Sequence, residues 1–314
     1  MKPIAIVALG GNALITDAEH EGIPDQYSAV RSVADPLVEL VEQGWGLVVS
    51  HGNGPQVGFI MRRSELSQGE LSPVPMDYAV ADTQGAIGYM FLKALGNALR
   101  RKRVDRRVVA LVTQTLVDPA DPAFAHPTKP VGSFLDDATA HARAEQLGWH
   151  VTEDAGRGWR RVVASPAPVE IIELETIREL AHEGAIVVAG GGGGIPVVRD
   201  EDGELTGVEA VIDKDSACAL MAAELGADLF AIPTGVERVA VNWGKPDQRW
   251  IDRLTVAEAT ALARSGELGE GSMRPKVEAL VTYLERHPGG AGVITSPQML
   301  PAALRRETGT WIEG

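Results

Sequence analysis

The chain has 314 residues, 45% of them hydrophobic and 23% charged, and a formal net charge of −14 at pH 7. That length and balance suit one large α/β domain or two smaller ones. The acidity excludes nucleic acid or an anionic membrane surface as the main partner, because the average surface would be repelled by both.

In chain order, the first apolar run is Ile4–Leu9, which ends in Gly10-Gly11-Asn12. It is shorter than a signal-peptide core, which leads us to expect a cytoplasmic protein. A helix-length amphipathic segment, Ser28–Gln43, leads to a second strand-like run, Gly46–Ser50, and a second glycine loop, His51-Gly52-Asn53-Gly54. The spacing then predicts a long helix over Ala79–Arg101 and a strand over Val108–Thr113. From Thr115 to Pro168 the pattern changes: Pro119, Pro122, Pro127 and Pro130 cluster, followed by a helix at Asp137–Gln146 and a polar, turn-rich piece at Val151–Ala164. This stretch is too short for its own core and reads as a lobe hung on the main sheet.

Beyond the lobe come a helix at Glu173–His182 and the run Ile186–Ala189, which opens into a third glycine loop, Gly190–Gly194. The stretch Ala185–Val198 is too short and too broken, by glycines and Pro196, for the roughly 20 residues of a membrane span. A hairpin-like excursion, Val197–Val208, turns at Asp202-Gly203. Helices over Ser216–Leu225, Val256–Ser265 and Met273–Arg286, with strands over Asp228–Ile232 and Gly292–Thr295, complete the alternation. The single cysteine, Cys218, lies in an apolar run and reads as an inert core thiol. The strands are continuous apolar runs, so the expected class is α/β, with a mainly parallel sheet covered by helices on both faces.

Glycine loops at strand ends let backbone N–H groups approach an anion closely, and a following helix N-terminus adds the positive end of its dipole. The site is therefore expected to hold phosphate, yet the familiar nucleotide motifs fail. The only Gly-Lys pair, Gly244-Lys245, is followed by Pro246, so there is no Walker-type loop. Starting Gly-x-Gly-x-x-Gly at Gly190 or Gly191 ends on Ile195 or Pro196, so there is no dinucleotide fingerprint. Gly-x-Ser-x-Gly, His-Glu-x-x-His and Cys-x-x-Cys are also absent.

Of 29 basic residues only seven are lysine, so a lysine in a rigid turn context stands out. Three qualify: Lys129 between Pro127 and Pro130, Lys214 between Asp213 and Asp215, and Lys276 just after Pro275. A compact ammonium with rotatable donors can follow a phosphoryl group as it moves; the bland alternative for each is a surface lysine in a weak ion pair. Asp213 and Asp215 are open to three roles: metal ligand, orienter of the lysines, or, for Asp215, N-cap of the helix beginning near Ser216. Asn12 and Asn53 fit either donors to an acceptor oxygen or turn residues that tolerate left-handed backbone. His51 and His126 have no legible base–nucleophile partner and read as structural or peripheral.

Seven segments in order then resemble the carbamate kinases of the amino acid kinase superfamily: Ala8-Leu9-Gly10-Gly11-Asn12-Ala13-Leu14, Ser50–Gly58, Pro127–Gly132, Glu153–Val163, Gly190–Pro196, Val211–Asp215 and Gly271–Val277. Other superfamily members carry a lysine in the first loop, and the resemblance implies that Lys129 of the lobe supplies that charge here. Ser133 and Leu135 depart from the family's usual proline and aromatic residue.

The resemblance implies a single αβα sandwich over 1–314 with a protruding lobe at about 116–167. It gives a carbamate-binding half at about 1–185 and a nucleotide-binding half at about 186–314. It implies Mg²⁺-dependent interconversion of ATP plus carbamate with ADP plus carbamoyl phosphate by a homodimer. On this reading Gly10, Gly11, Asn12, Gly52, Asn53 and Gly54 cradle carbamate and the transferred group. Lys129 and Lys214 flank that group, and Lys214, Lys276, Met273, Gly191 and Gly192 meet the nucleotide. Asp213 and Asp215 fix the lysines, and one of them is a candidate Mg²⁺ ligand. The rival readings are a superfamily kinase with another acceptor, a non-catalytic nucleotide binder, which would have lost one of the lysines, and a dinucleotide-dependent oxidoreductase.

Overall fold

The computed structural model describes residues 2–11, 14–15, 19–153, 158–268 and 273–314. It begins with β1 (Ile4–Leu9), α1 (Ile23–Glu42), β2 (Gly46–His51), α2 (Gly54–Leu66), α3 (Met76–Lys102), β3 (Val108–Ala110) and β4 (Gln114–Val117). The lobe follows with α4 (Pro122–Ala125), β5 (Lys129–Leu135), α5 (Asp137–Leu147), β6 (His150–Glu153) and β7 (Trp159–Val163). The chain returns through β8 (Pro168–Ile171), α6 (Leu174–His182), β9 (Ile186–Val188), β10 (Ile195–Arg199), β11 (Leu205–Gly207), α7 (Lys214–Leu225) and β12 (Leu229–Pro233). The last elements are β13 (Val239–Val241), β14 (Arg249–Ile251), β15 (Arg253–Thr255), α8 (Val256–Arg264), α9 (Arg274–Arg286), β16 (Ala291–Thr295), α10 (Leu300–Leu304) and β17 (Thr310–Glu313).

The central sheet has the order β15-β17-β16-β12-β1-β2-β9-β3, and every neighbouring pair except β16–β17 is parallel. Its inner strands β1, β2, β9, β12 and β16 are buried on both sides, which explains their continuous apolar sequences. Along β1 the faces alternate: Ile4, Ile6 and Ala8 pack with residues of α6, α7, α8 and α9, while Ala5, Val7 and Leu9 pack with α1, α3 and α10. Full burial of each Val, Leu or Ile here contributes about 1.5–3 kcal/mol, so the two helical layers are the main source of stability. The αβα sandwich expected from the sequence is therefore present.

The lobe is a three-stranded antiparallel sheet, β5-β7-β6, backed by α5. It joins the body through Ala164, which bridges Ala210, and through the half-buried Arg161–Glu209 ion pair. A separate sheet, β11-β10-β4-β8, lies at its root and includes the hairpin expected at Val197–Val208. Several elements, among them β13, β14, β15 and α10, were not expected from the sequence, and three departures have a plain physical reason. Helix α2 begins directly at Gly54; among its residues only Gln56, Val57 and Ser64 are buried, so its apolar stripe is too thin to read as a helix. Strand β3 stops at Ala110: Leu111 N still donates to Val188 O, and Thr113 then bonds Gln84 of α3 and Gly190 of the third loop. The short β17, the antiparallel partner of β16, carries too few residues for a periodic signal.

Candidate active site

Strands β12, β1, β2 and β9 run parallel, so their carboxyl ends lie on one edge of the sheet. The chain winds outward from β1 in both directions, to β2 on one side and to β12 on the other. Such a reversal opens a crevice at the strand ends, where ligands bind in open α/β sheets. The first two glycine loops, Gly10-Gly11 and Gly52–Gly54, meet at this crevice. Gly52 N donates to Leu9 O at 2.9 Å, and a Cβ on Gly52 would lie 2.9 Å from Gly11 N. No side chain fits between them, which is the physical reason for glycine at position 52. Asn12 lies outside the described residues.

Asn53 precedes α2, and Gly54 and Pro55 form its first turn, directing the positive end of the helix toward the crevice. The Asn53 Nδ2 donates to Thr83 Oγ1 at 2.8 Å. The third loop docks on the second: a Cβ on Gly192 would sit 2.2 Å from Asn53 Nδ2, and one on Gly191 would sit 2.5 Å from the His51 ring. Gly190 and Gly192 have φ of +64° and +70°, a region in which L side chains are strained. The sequence reading gives Gly191 and Gly192 to the nucleotide. They pack against His51 and Asn53 of the second loop, because β9 pairs with β2.

The three unusual lysines converge on two carboxylates. Helix α7 starts at Lys214, earlier than the sequence suggests, and its cap is Asp213, not Asp215: Asp213 Oδ1 accepts from Asp215 N and Ser216 N, each at 3.0 Å. The other oxygen of Asp213 lies 3.4 Å from Lys129 Nζ, which the lobe brings over the helix N-terminus. Asp215 is 5% exposed and holds Lys214 Nζ at 2.5 Å on one oxygen and Lys276 Nζ at 2.9 Å on the other. Lys214 Nζ also donates to Ala8 O at 3.0 Å, which fixes the ammonium at the end of β1. Met273 stands immediately before α9, whose first turn carries Pro275 and Lys276. Gly271 and Ser272 of the motif that contains them lie outside the described residues.

Burial alone would raise the Asp215 carboxyl, but the adjacent Lys214 and Lys276 ammoniums prevail and hold it below the usual carboxylate range. Asp215 is thus an ionised anchor whose two oxygens are already occupied. Among the described residues no cluster of three His, Cys, Asp or Glu side chains could hold a metal ion. Both aspartates are bound to lysines, and Asp213 also caps the helix. A cavity of about 450 Å³ opens between α7 and α9 beside Asp213. Asp213, Ser216 and Pro275 line it, so it adjoins the lysine cluster.

His51 is buried, stacks on Phe91 at 5.9 Å, and has Nδ1 3.1 Å from Gly52 O. Burial pushes it down to about 4, aided by the Lys214 charge, so it is neutral at pH 7. His126 is exposed, in agreement with a peripheral role. Cys218 is buried, and desolvation pushes its thiol up to about 11, as expected of an inert core residue. Sequence reasoning missed Thr83, Gln84 and Thr113. Their polarity at buried helix and strand-end positions was the only available signal, and it becomes informative once their partners are known.

Residues 3–294 match the model of the amino acid kinase family. The chain is 46% identical to the carbamate kinase-like protein YahI of Escherichia coli, covering 99% of each chain, and 45% identical to a carbamate kinase of Thermococcus kodakarensis, covering 98% of each. It also resembles the solved carbamate kinase of Giardia lamblia bound to AMP-PNP, with a TM-score of 0.94 and 38% identity over 99% of this chain and 98% of that one.

Proposed function

The chain belongs to the amino acid kinase family, in its carbamate kinase branch, and we propose that it transfers a phosphoryl group between ATP and carbamate, giving ADP and carbamoyl phosphate. The observation that carries this reading is the convergence of Lys129, Lys214 and Lys276 on Asp213 and Asp215 beside two facing glycine loops. Carbamate is an anion at neutral pH and needs no general base. The barrier is repulsion between two anions and the charge spread over the moving group, so fixed cations and backbone donors carry the catalysis. His51, neutral and tied to Gly52, is unsuited to act as a base, in keeping with this scheme.

In this reading Gly10, Gly11, Asn12, Gly52, Asn53 and Gly54 receive carbamate and the transferred group in the first half of the chain. Their neighbours Gly191 and Gly192 are better placed for that group than for the nucleotide base. Lys214 and Lys129 approach the transferring phosphoryl from the body and from the lobe. Lys276 and Met273, at the start of α9, serve the nucleotide phosphates in the second half. Mg²⁺ enters as part of the nucleotide substrate, held by its phosphates, since the aspartates are committed to lysines.

We also place this protein as a cytoplasmic homodimer. Among the described residues no helix is long and apolar enough to cross a membrane. An apolar groove between α1, α2 and α3, lined by Ile23, Phe59, Ile60, Ala86 and Met90, lies on the helix that also exposes Tyr78 and Tyr89. Incubation of purified protein with ADP, Mg²⁺ and carbamoyl phosphate should yield ATP. Phosphorylation of acetylglutamate or a nucleotide but not carbamate would instead establish a different acceptor.

A further inference from the structure

Two adjacent residues of α3, Thr83 and Gln84, are 1% and 5% exposed. Burying a hydroxyl and a primary amide is unfavourable unless their polar atoms are paired. Here they are paired, and the long-range partners lie in the loops at the carboxyl edge of the sheet. Thr83 Oγ1 accepts from Asn53 Nδ2 at 2.8 Å and donates to Val80 O at 2.7 Å. Gln84 Nε2 donates to Gly191 O at 2.9 Å and to Thr113 O at 3.1 Å, while its Oε1 accepts from Thr113 N at 2.8 Å. Around this centre Thr113 Oγ1 accepts from Gly190 N, and Ser50 Oγ donates to Gly190 O, both at 2.9 Å.

The peptide unit is planar, so anchoring a carbonyl also fixes the direction of the N–H on its other side. Gln84, by holding Gly191 O, sets the orientation of the Gly192 amide. Thr83, by holding the Asn53 side chain, sets the wall against which Gly192 is packed with no room for a Cβ. Neighbouring positions on a helix point to different faces, so one turn of α3 reaches the second and third loops at once.

We infer that Thr83 and Gln84 are positioning residues that hold the second and third glycine loops in the relative geometry required for phosphoryl transfer. The inference rests on the phosphotransfer reading above. Neither side chain acts on substrate directly; Thr83 works through Asn53 and Gln84 through Gly191. Their loss should change the chemical step more than nucleotide binding, whereas a purely structural role would reduce only the amount of folded protein.

The test compares Thr83→Val and Gln84→Met, which keep size but remove the bonds, with Thr83→Ser, which keeps the hydroxyl. Leu95→Ala, which removes a fully buried side chain of the same helix, controls for general loosening of α3. In the ADP and carbamoyl phosphate assay, Thr83→Val and Gln84→Met should lower kcat per folded molecule at least about tenfold, with KM for ADP changed less than about twofold, because small misplacements of reacting groups are costly. Thr83→Ser should stay within about threefold of the wild-type kcat. Amide hydrogen exchange in peptides covering 51–57 and 188–195 should rise at least about tenfold in the first two variants and not in Leu95→Ala. A kcat within threefold of wild type in both bond-deleting variants would overturn the inference, as would an equal loss in Leu95→Ala. If wild-type protein makes no ATP, the phosphotransfer reading falls by itself. Hydrogen exchange then decides the bracket, and unchanged protection of the two loops overturns it.

Discussion

Lys214 is tied to its site by a backbone carbonyl and by a carboxylate whose other oxygen holds Lys276. A cation restrained in this way loses little entropy when a phosphoryl group arrives, which is the advantage of a preorganised donor over a mobile one. Removing one such donor typically slows an enzyme by about two to three orders of magnitude, and Lys214→Ala should do so while its circular dichroism spectrum stays that of wild type. An unchanged turnover would remove Lys214 from the reaction.

His51 makes a different prediction, about pH. Burial holds it near 4 in the folded protein against 6.5 for an ordinary histidine, so between those values the unfolded chain binds a proton that the native state does not. Stability should therefore fall as pH falls from about 6.5 to 4, by about 3 kcal/mol in total from this group, at 1.36 kcal/mol per pH unit. Urea titrations of wild type and His51→Phe across this window should differ in slope by up to one proton, the wild type being the steeper. Parallel curves would show that His51 is not held neutral.

At the scale of elements, the lobe brings a lysine to a crevice whose first glycine loop, Gly10-Gly11-Asn12, carries none. Strand β5 begins at Lys129, and β7 ends beside the segment that leads through Glu209 and Ala210 to Asp213 and Lys214. The lobe thus delivers a cation to the N-terminus of α7 from outside the sandwich. Lys129 is 40% exposed and 3.4 Å from Asp213, so this pair is screened and contributes little to stability. Lys129→Ala should accordingly leave the thermal midpoint within about 2 °C of wild type while lowering kcat at least about tenfold. KM for ADP should be nearly constant. A loss of stability without a loss of kcat would make the lobe lysine structural.

Much of this element level was legible beforehand. The runs of β1, β2, β9, β12 and β16 are apolar on both faces, and prolines and polar turns set the lobe apart. Helix α2 was not legible, because a helix packed against the lobe strand β5 and against α3 carries only a thin apolar stripe. The end of β3 was also hidden: residues 111–113 keep β-type chemistry, yet Gln84 takes both backbone groups of Thr113, whose carbonyl also accepts from Ile195 N.

At the scale of the whole molecule, an acidic surface surrounds a small cationic site, with a formal net charge of −14 overall against three clustered lysines. The acidic surface disfavours nucleic acid, while short-range ammonium groups and glycine amides still suit a small anion. The exposed Ile23, Tyr78 and Tyr89 along the α1–α3 face are the best candidates for contact with a second copy. Sedimentation at micromolar concentration should give a species of twice the 33.3 kDa chain mass, and Ile23→Asp should shift it toward the monomer. A wild-type monomer would end the homodimer reading.

The layered α/β class, the glycine-rich strand ends, the lobe and the identity of the three unusual lysines were all readable along the chain. Each of these rests on local chemistry: side-chain periodicity, the absence of Cβ, proline restriction, and lysine where arginine is the rule. Which of these residues meet is a property of the packed fold. Lys214 and Lys276 share Asp215, Asp213 and not Asp215 caps α7, and the third glycine loop lies on the second through Thr83 and Gln84. The cap and the Lys214–Asp215 pair are local, but the Lys276–Asp215, Asn53–Thr83 and Gln84–Gly191 contacts span 61, 30 and 107 positions and depend on strand order, with β12 on one side of β1 and β2 and β9 on the other. Local sequence sets what each segment can form; the order of strands in the sheet sets which loop ends share a crevice.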